Sequence, residues 1–340
     1  MDYLYEYLVF LGQAATILVL ILIFIGVQAS KKNNGPEGAT GKLRIKMLNE
    51  SLAGFKKSLQ EVILDGQELK VQRKKDKGLL KSKKKQVSSK DLSSLDLKKP
   101  RIYVLEFYGD VQASGVARLA TEITAVLTMA RSQDEVVVCV ESGGGLVHGY
   151  GLAASQLERI KSKGIRLTVA VDKVAASGGY LMAAVANSIL AAPFAVVGSI
   201  GVVAQIPNIH RWLKNHDIDV ELLTSGKYKR TLTIFGENDD EGRDKLLNDL
   251  EDTHGLFKNF VSEHRPMVDL DRVSTGETWY GQQAIDLNLV DRLITSDQYL
   301  SDACETADVY KITWVEHKPR VLDRLLSRVA SSVNKVLSKI

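Results

Sequence analysis

Cysteine is scarce: Cys139 and Cys304 are the two in 340 residues. A disulfide framework or a cysteine-rich metal site cannot be built from them, and their number is neutral on compartment. Cys139 lies in the apolar run Val136–Val140 and reads as a small buried hydrophobe. Phosphate-cradling loops are missing too. No glycine-rich turn ends in Gly-Lys-Ser/Thr, and no usable Gly-x-Gly-x-x-Gly follows a strand, so a nucleotide cofactor has no support. The esterase context Gly-x-Ser-x-Gly is absent. Six histidines are present (His148, His210, His216, His254, His264 and His317), and no Asp/His spacing singles out a catalytic pair. His148, just past a glycine turn, is the best histidine candidate for a general base.

Charge is nearly balanced, at a net +4, but unevenly spread. The tract 70–99 carries Arg73-Lys74-Lys75 and Lys83-Lys84-Lys85 with no aromatic residue among the lysines. It reads first as a solvated linker and second as a segment that hugs anionic headgroups. Nucleic-acid binding comes last, since no nucleic-acid fold signature accompanies the lysines.

What the chain does have begins with Leu8–Val27, LVFLGQAATILVLILIFIGV, a run without charge. It is about the length needed to cross a bilayer as a helix. A cleaved signal peptide, cut after Val27-Gln28-Ala29, is the other reading. Asp2 and Glu6 before the run, with no basic residue there, favour a retained anchor. Lys31 and Lys32 after it favour keeping the C-terminal side in the cytoplasm. Asn33–Gly38 reads as flexible linker, and Leu43–Leu69 has the spacing of an amphipathic helix.

From Arg101 the pattern becomes that of an α/β fold. Strands are expected at Arg101–Tyr108, Val136–Glu141, Ile165–Val171, Ser188–Ala192, Ala195–Val203 and Ile218–Leu223. Helices are expected at Gly115–Arg131, Tyr150–Ser162, just after Ser177, and Asp239–His264; Thr275–Asp291 reads as a turn, a short helix and a strand start. Strands alternating with helices imply a parallel sheet, and continuous apolar strands imply burial on both faces. The tail Pro319–Ile340 has apolar residues on one side and Arg320, Arg324 and Arg328 on others, which is an amphipathic basic helix. The domain reading is 1–30 anchor, 31–100 basic linker, 101–300 catalytic domain and 301–340 C-terminal helix.

Three stretches carry chemistry. Glu141-Ser142-Gly143-Gly144-Gly145 follows a buried strand, where backbone N–H groups can point at a ligand. Read alone it is better explained as a tight strand-to-helix turn. Ser177 precedes Gly178-Gly179 and an apolar helix, which makes it a candidate nucleophile beside a helix N-terminus. Read alone it is better explained as an N-cap. Ser225-Gly226-Lys227-Tyr228-Lys229-Arg230 offers two lysines, either of which serves as a base if burial keeps it neutral. Read alone it is a solvated basic loop.

Taken together in order, ESGGG, AASGGYLMA, ANSILA, VVGSIGV, SGKYKR and TGETWYGQQAIDLNLVD resemble the signal peptide peptidase family of serine peptidases, over about Arg101–Ile294 with the anchor in addition. The resemblance implies a crotonase/Clp-like α/β peptidase fold and a Ser–Lys dyad needing no cofactor. Ser177 matches the nucleophile and Lys229 the general base; Gly144, Gly145 and Gly178 match the oxyanion-hole positions. Gly143 stands where the family often has proline, and Lys227 is the rival base. The resemblance also implies cleavage of signal-peptide remnants or other unstructured, hydrophobic polypeptides, and a homo-oligomer. It implies a bacterial inner-membrane location, held by residues 8–27, with the catalytic domain on the periplasmic face, against the pull of the lysines. Two other readings are a crotonase-fold acyl-CoA enzyme, which requires acidic catalytic residues near the glycine turn, and a non-catalytic membrane scaffold.

Overall fold

The computed structural model describes residues 7, 9–13, 41–74, 78 and 99–316. Most of the expected anchor, most of the lysine-rich tract and the expected C-terminal helix lie outside those residues. Among the described residues no helix is long and apolar enough to cross a membrane. The chain divides into two compact units: Ile45–Thr313, and residues 1–44 together with 314–340. Of the second, residues 7, 9–13, 41–44 and 314–316 are described.

In chain order the elements are β1 (Gly41–Met47), α1 (Leu48–Ile63), β2 (Arg101–Gly109), α2 (Val116–Leu127), β3 (Glu135–Ser142), α3 (Val147–Ser162), β4 (Arg166–Val171) and β5 (Val174–Ala176). There follow α4 (Gly178–Ala184), β6 (Ser188–Ala191), β7 (Val196–Gly198), α5 (His210–Lys214), α6 (Asp240–His264) and α7 (Leu270–Val273). The last are β8 (Thr278–Tyr280), α8 (Gly281–Ala284), β9 (Arg292–Leu293), α9 (Ser296–Thr306) and β10 (Asp308–Glu316).

The expected parallel sheet is present. Its neighbours run β10-β2-β3-β4-β6-β9, all parallel. Val104 pairs with Val137, and Val137 with Thr168, so the valine-rich strands stack at the centre. Val136, Val137, Val138, Leu167 and Val169 are fully buried. That is what near-continuous apolar strands require when both faces of a sheet are covered. The covering residues come from α2 (Leu119, Ile123), α3 (Leu157, Ile160) and α4 (Met182), all fully buried.

Three differences from the sequence reading have physical causes. Leu43–Met47 is not helical: β1 takes Gly41–Met47, and α1 begins at Leu48, where the Asn49 side chain binds Cys304 O, Ala307 O and Val309 N. Ile218–Leu223 is not a strand. Its residues are exposed, 88% for Leu223, and among the described residues no strand ladder reaches them, so composition alone does not make a strand there. Past residue 300, α9 continues to Thr306 and β10 pairs beside β2.

A short branch sets up the site. β5 pairs with β3 at Ser142↔Ala175 and with β7 at Ala176↔Gly198. The glycine turn after β3 and Ser177 after β5 therefore leave the carboxyl ends of adjacent parallel strands. That edge of an open α/β sheet is where ligands bind.

Candidate active site

Ser177 sits between β5 and α4 at φ 51°, ψ −120°, a backbone region that side chains other than glycine rarely adopt. Such a residue stores about 1–3 kcal/mol of strain. Its N–H donates to Gly198 O at 2.8 Å, and its carbonyl accepts from Leu181 N at 2.9 Å. Its side chain makes no capping hydrogen bond. An N-cap serine would spend its hydroxyl on the free N–H groups of the helix; this one is left available. The geometry is that of a nucleophile at a sharp strand-to-helix turn, reached without Gly-x-Ser-x-Gly.

Gly144, at φ 89°, brings the turn after β3 against this serine. A Cβ at Gly144 would lie 2.7 Å from Gly178 N and 2.7 Å from Ser177 Cβ. A Cβ at Gly178 would lie 2.3 Å from Tyr150 Cγ. Neither position accepts a side chain, and the two backbone segments approach only because both are glycine. The family resemblance implies Gly144, Gly145 and Gly178 as oxyanion-hole positions; Gly144 packs against Ser177 and Gly178, and Gly145 lines a cavity with those two. Their N–H groups differ. Gly144 N–H donates to Ser142 Oγ at 3.1 Å. Those of Gly145 and Gly178 have no hydrogen-bond partner among the described residues. Gly145 and Gly178, whose N–H groups are unpaired among those residues, line one cavity with Ser177.

Beside Ser177 lies a cavity of about 290 Å³. Gly145, Val147, Tyr150 and Leu181 line one side; Leu256, Phe257 and Phe260 of α6 line the other. Sequence reasoning placed those α6 residues on a helix without giving them a site. Their spacing was visible, but nothing local says that the helix crosses over Ser177.

The lysines are placed apart from this cavity. Lys229 is exposed, in a turn where its N–H donates to Gly226 O at 3.1 Å, and it does not line the cavity. Lys227 Nζ lies 2.5 Å from Glu241 Oε1, with its side chain 65% exposed. Hydrogen bonding to the Glu241 carboxylate raises its ammonium above the usual lysine range. A base needs an unprotonated amine, so Lys227 in this placement is a cation and not a base. His148 is exposed at the start of α3 and does not line the cavity.

The acidic residues near the glycine turn are committed elsewhere. Both Glu141 carboxylate oxygens lie 3.0 Å from Lys173 Nζ. The Asp110 carboxylate accepts from the Ser114 hydroxyl at 2.6 Å and the Ser114 N–H at 2.8 Å, which holds it below the usual carboxylate range. Neither lines the cavity. Among the described residues no group of acidic, histidine or cysteine side chains is arranged to hold a metal ion.

Comparison with known proteins gives consistent matches. The model for the N-terminal part of peptidase family S49 matches residues 2–157, and the model for peptidase family S49 matches residues 159–310. A relative described as probable protease SohB, from Haemophilus influenzae, is 48% identical over 316 residues, covering 92% of this chain and 89% of that protein. Another so described, from Buchnera aphidicola subsp. Schlechtendalia chinensis, is 46% identical, covering 88% of this chain and 99% of that protein. Among solved structures, a mutant of the 1510-N membrane-bound stomatin-specific protease aligns with a TM-score of 0.40 at 13% identity. It covers 61% of this chain and 85% of that one.

Proposed function

Because the chain belongs to peptidase family S49 and is a protease of the SohB kind, we propose that it is a serine endopeptidase with Ser177 as nucleophile and Lys229 as general base. The oxyanion hole in this reading is Gly145 N–H and Gly178 N–H. The observation that carries it is the uncapped, strained Ser177 sharing one cavity with Gly145 and Gly178, whose N–H groups are unpaired among the described residues.

The steps follow from those groups. Neutral Lys229 takes the Ser177 proton as Oγ attacks a peptide carbonyl. Negative charge collects on the carbonyl oxygen, and the two N–H groups receive it. Losing one such donor costs roughly 3–4 kcal/mol of transition-state stabilisation. The ammonium of Lys229 then protonates the leaving amine, and the acyl bond to Ser177 is cleared by water that the lysine deprotonates. A cavity lined by Val147, Leu181 and Phe260 selects an apolar side chain beside the cut bond. Extended apolar segments, such as signal-peptide remnants, fit that preference.

Lys229 reaches the serine in an assembled form. The stretch from Val202 to Asn238 that carries it holds one five-residue helix and leaves Val203 88% and Trp212 58% exposed. An uncovered run of large apolar residues marks a contact surface, and a second copy of this chain is its occupant in this reading. Residues 8–27 tether the assembly to the bacterial inner membrane, with the catalytic domain on the periplasmic face.

A fluorophosphonate probe and casein degradation test the mechanism together. Ser177→Ala is expected to lose both the label and about 10⁴-fold or more of the activity. Lys229→Ala is expected to lose comparable activity, and Lys227→Ala to stay within about twofold, since an exposed ion pair contributes little. Labelling that survives Ser177→Ala, or a Lys227→Ala protein that is dead beside an active Lys229→Ala, overturns the assignment.

A further inference from the structure

Behind the glycine turn lies a chain of hydrogen bonds that the reaction itself does not use. Tyr150 of α3 is fully buried, and its hydroxyl donates to Asp110 O at 2.7 Å. That commits its one proton, because a carbonyl can only accept. Ser142 Oγ is 2.6 Å from the same phenol oxygen. The serine must therefore donate to the tyrosine. Ser142 Oγ then presents lone pairs on its other side, and Gly144 N–H donates to it. The polarity of the whole chain is set by an acceptor-only carbonyl at one end and a donor-only amide at the other.

The ring of the same tyrosine meets the second donor segment. It packs so closely beneath Gly178 that no Cβ fits between them. One side chain therefore supports both halves of the anion site: its ring lies under Gly178, and its hydroxyl, through Ser142, holds the turn that presents Gly145. A phenylalanine would supply the ring contact alone. The hydroxyl adds the only tie from this turn to the Asp110 loop that passes through side chains among the described residues.

We propose that Tyr150 is a positioning residue for the oxyanion hole, its hydroxyl acting through Ser142 to fix the Gly144 turn and so the aim of Gly145 N–H. The proposal rests on the reading of Ser177 as nucleophile with Gly145 and Gly178 as donors. Tyr150→Phe keeps the ring under Gly178 and removes the anchor of Ser142, leaving the turn held to the Asp110 loop by the Leu146 N–H bond to Val111 O at 2.8 Å. A donor that wanders by a fraction of an ångström stabilises the transition state less while leaving ground-state binding nearly intact.

The test uses the full chain, a fluorogenic leucine-containing peptide amide, and a matched pair of inhibitors, a peptide aldehyde and the corresponding alcohol. The aldehyde adds to Ser177 Oγ, and its carbonyl oxygen becomes the anion that the hole must hold; the alcohol makes no such anion. In Tyr150→Phe, kcat is expected to fall about tenfold to a hundredfold with KM within about twofold. Aldehyde inhibition should weaken by the same factor while alcohol inhibition stays unchanged. Ser142→Ala, which leaves Tyr150 in place, should reproduce this split, and the double variant should lose no more than the worse single. An unchanged kcat, or a loss that tracks the folded fraction with a constant aldehyde-to-alcohol ratio, overturns the positioning role. If hydrolysis of the peptide survives Ser177→Ala undiminished, the nucleophile assignment itself falls, and this proposal with it.

Discussion

At Asp134, one carboxylate gathers four donors. Its oxygens accept from Arg101 N–H, Arg131 N–H and two nitrogens of the Arg131 guanidinium, at 2.7–3.1 Å. Burial pushes this carboxyl up, but the Arg131 bonds and the backbone donors outweigh that and hold it below the usual carboxylate range. A carboxyl lowered on folding stabilises the fold in full above its unfolded value, about 3.9, and loses that contribution as pH falls through its lower folded value. Asp134→Asn is therefore expected to cost about 3 kcal/mol at neutral pH, because it leaves the Arg131 cation without its buried partner. The difference from the parent should shrink as pH falls below about 4. Urea unfolding across pH 2–8 reads this, and a constant difference over the whole range would contradict it. The residue scale is also where sequence reasoning reached furthest into the site. Ser177 and the glycine turns stood out locally, because glycine and serine at strand ends carry a backbone requirement, but the roles of Ser177, Gly144, Gly145 and Gly178 came from the ordered set of motifs and not from any one of them. The Ser142–Tyr150 link was not visible: a tyrosine inside α3 gives no sign of which oxygen its hydroxyl will find.

At the scale of elements, the clearest signals were the longest ones. The apolar runs became β2, β3 and β4, and the expected Asp239–His264 helix became α6, begun by the Asp239 side chain accepting from Gly242 N at 2.7 Å. Three-residue β5 escaped notice because its existence depends on β3 and β7 on either side, not on its own composition. Ile218–Leu223 failed for the opposite reason, having the composition and no partner. The role of α6 was equally hidden, since Leu256, Phe257 and Phe260 look like any apolar stripe until the fold lays them over Ser177. That placement makes α6 the wall that sizes the cavity. Phe260→Ala is expected to shift preference toward the bulkiest side chains beside the cut bond, raising kcat/KM for tryptophan relative to alanine peptides about tenfold. A ratio that does not move would remove α6 from substrate selection.

For the whole molecule, the fold class was legible because alternation of strand and helix is a global pattern that leaves a trace in every segment. A homo-oligomer was implied by the family resemblance alone, because a contact surface between copies leaves no local sequence pattern of its own. The isolated chain keeps Lys229 off the cavity and exposes Val203, Trp212 and Leu223. Specific activity in detergent solution is therefore expected to fall as the protein is diluted, by about a hundredfold or more once light scattering shows a single chain, the loss expected when a catalytic base is withdrawn. A monomer as active as the concentrated protein would place the lysine beside the serine within one chain.

The pairing of β10 with β2 has a consequence for how the protein comes into being. β2 begins at Arg101, yet its neighbour on one side, Asp308–Glu316, is among the last parts of the described chain to be made. Throughout synthesis that flank of β2 stays open, with Ile102 and Val104 waiting for Val309 to close over them. A nascent chain in this condition is exposed to wrong strand partners, and a polypeptide cut short before residue 308 keeps Ser177 but never completes the sheet beneath it.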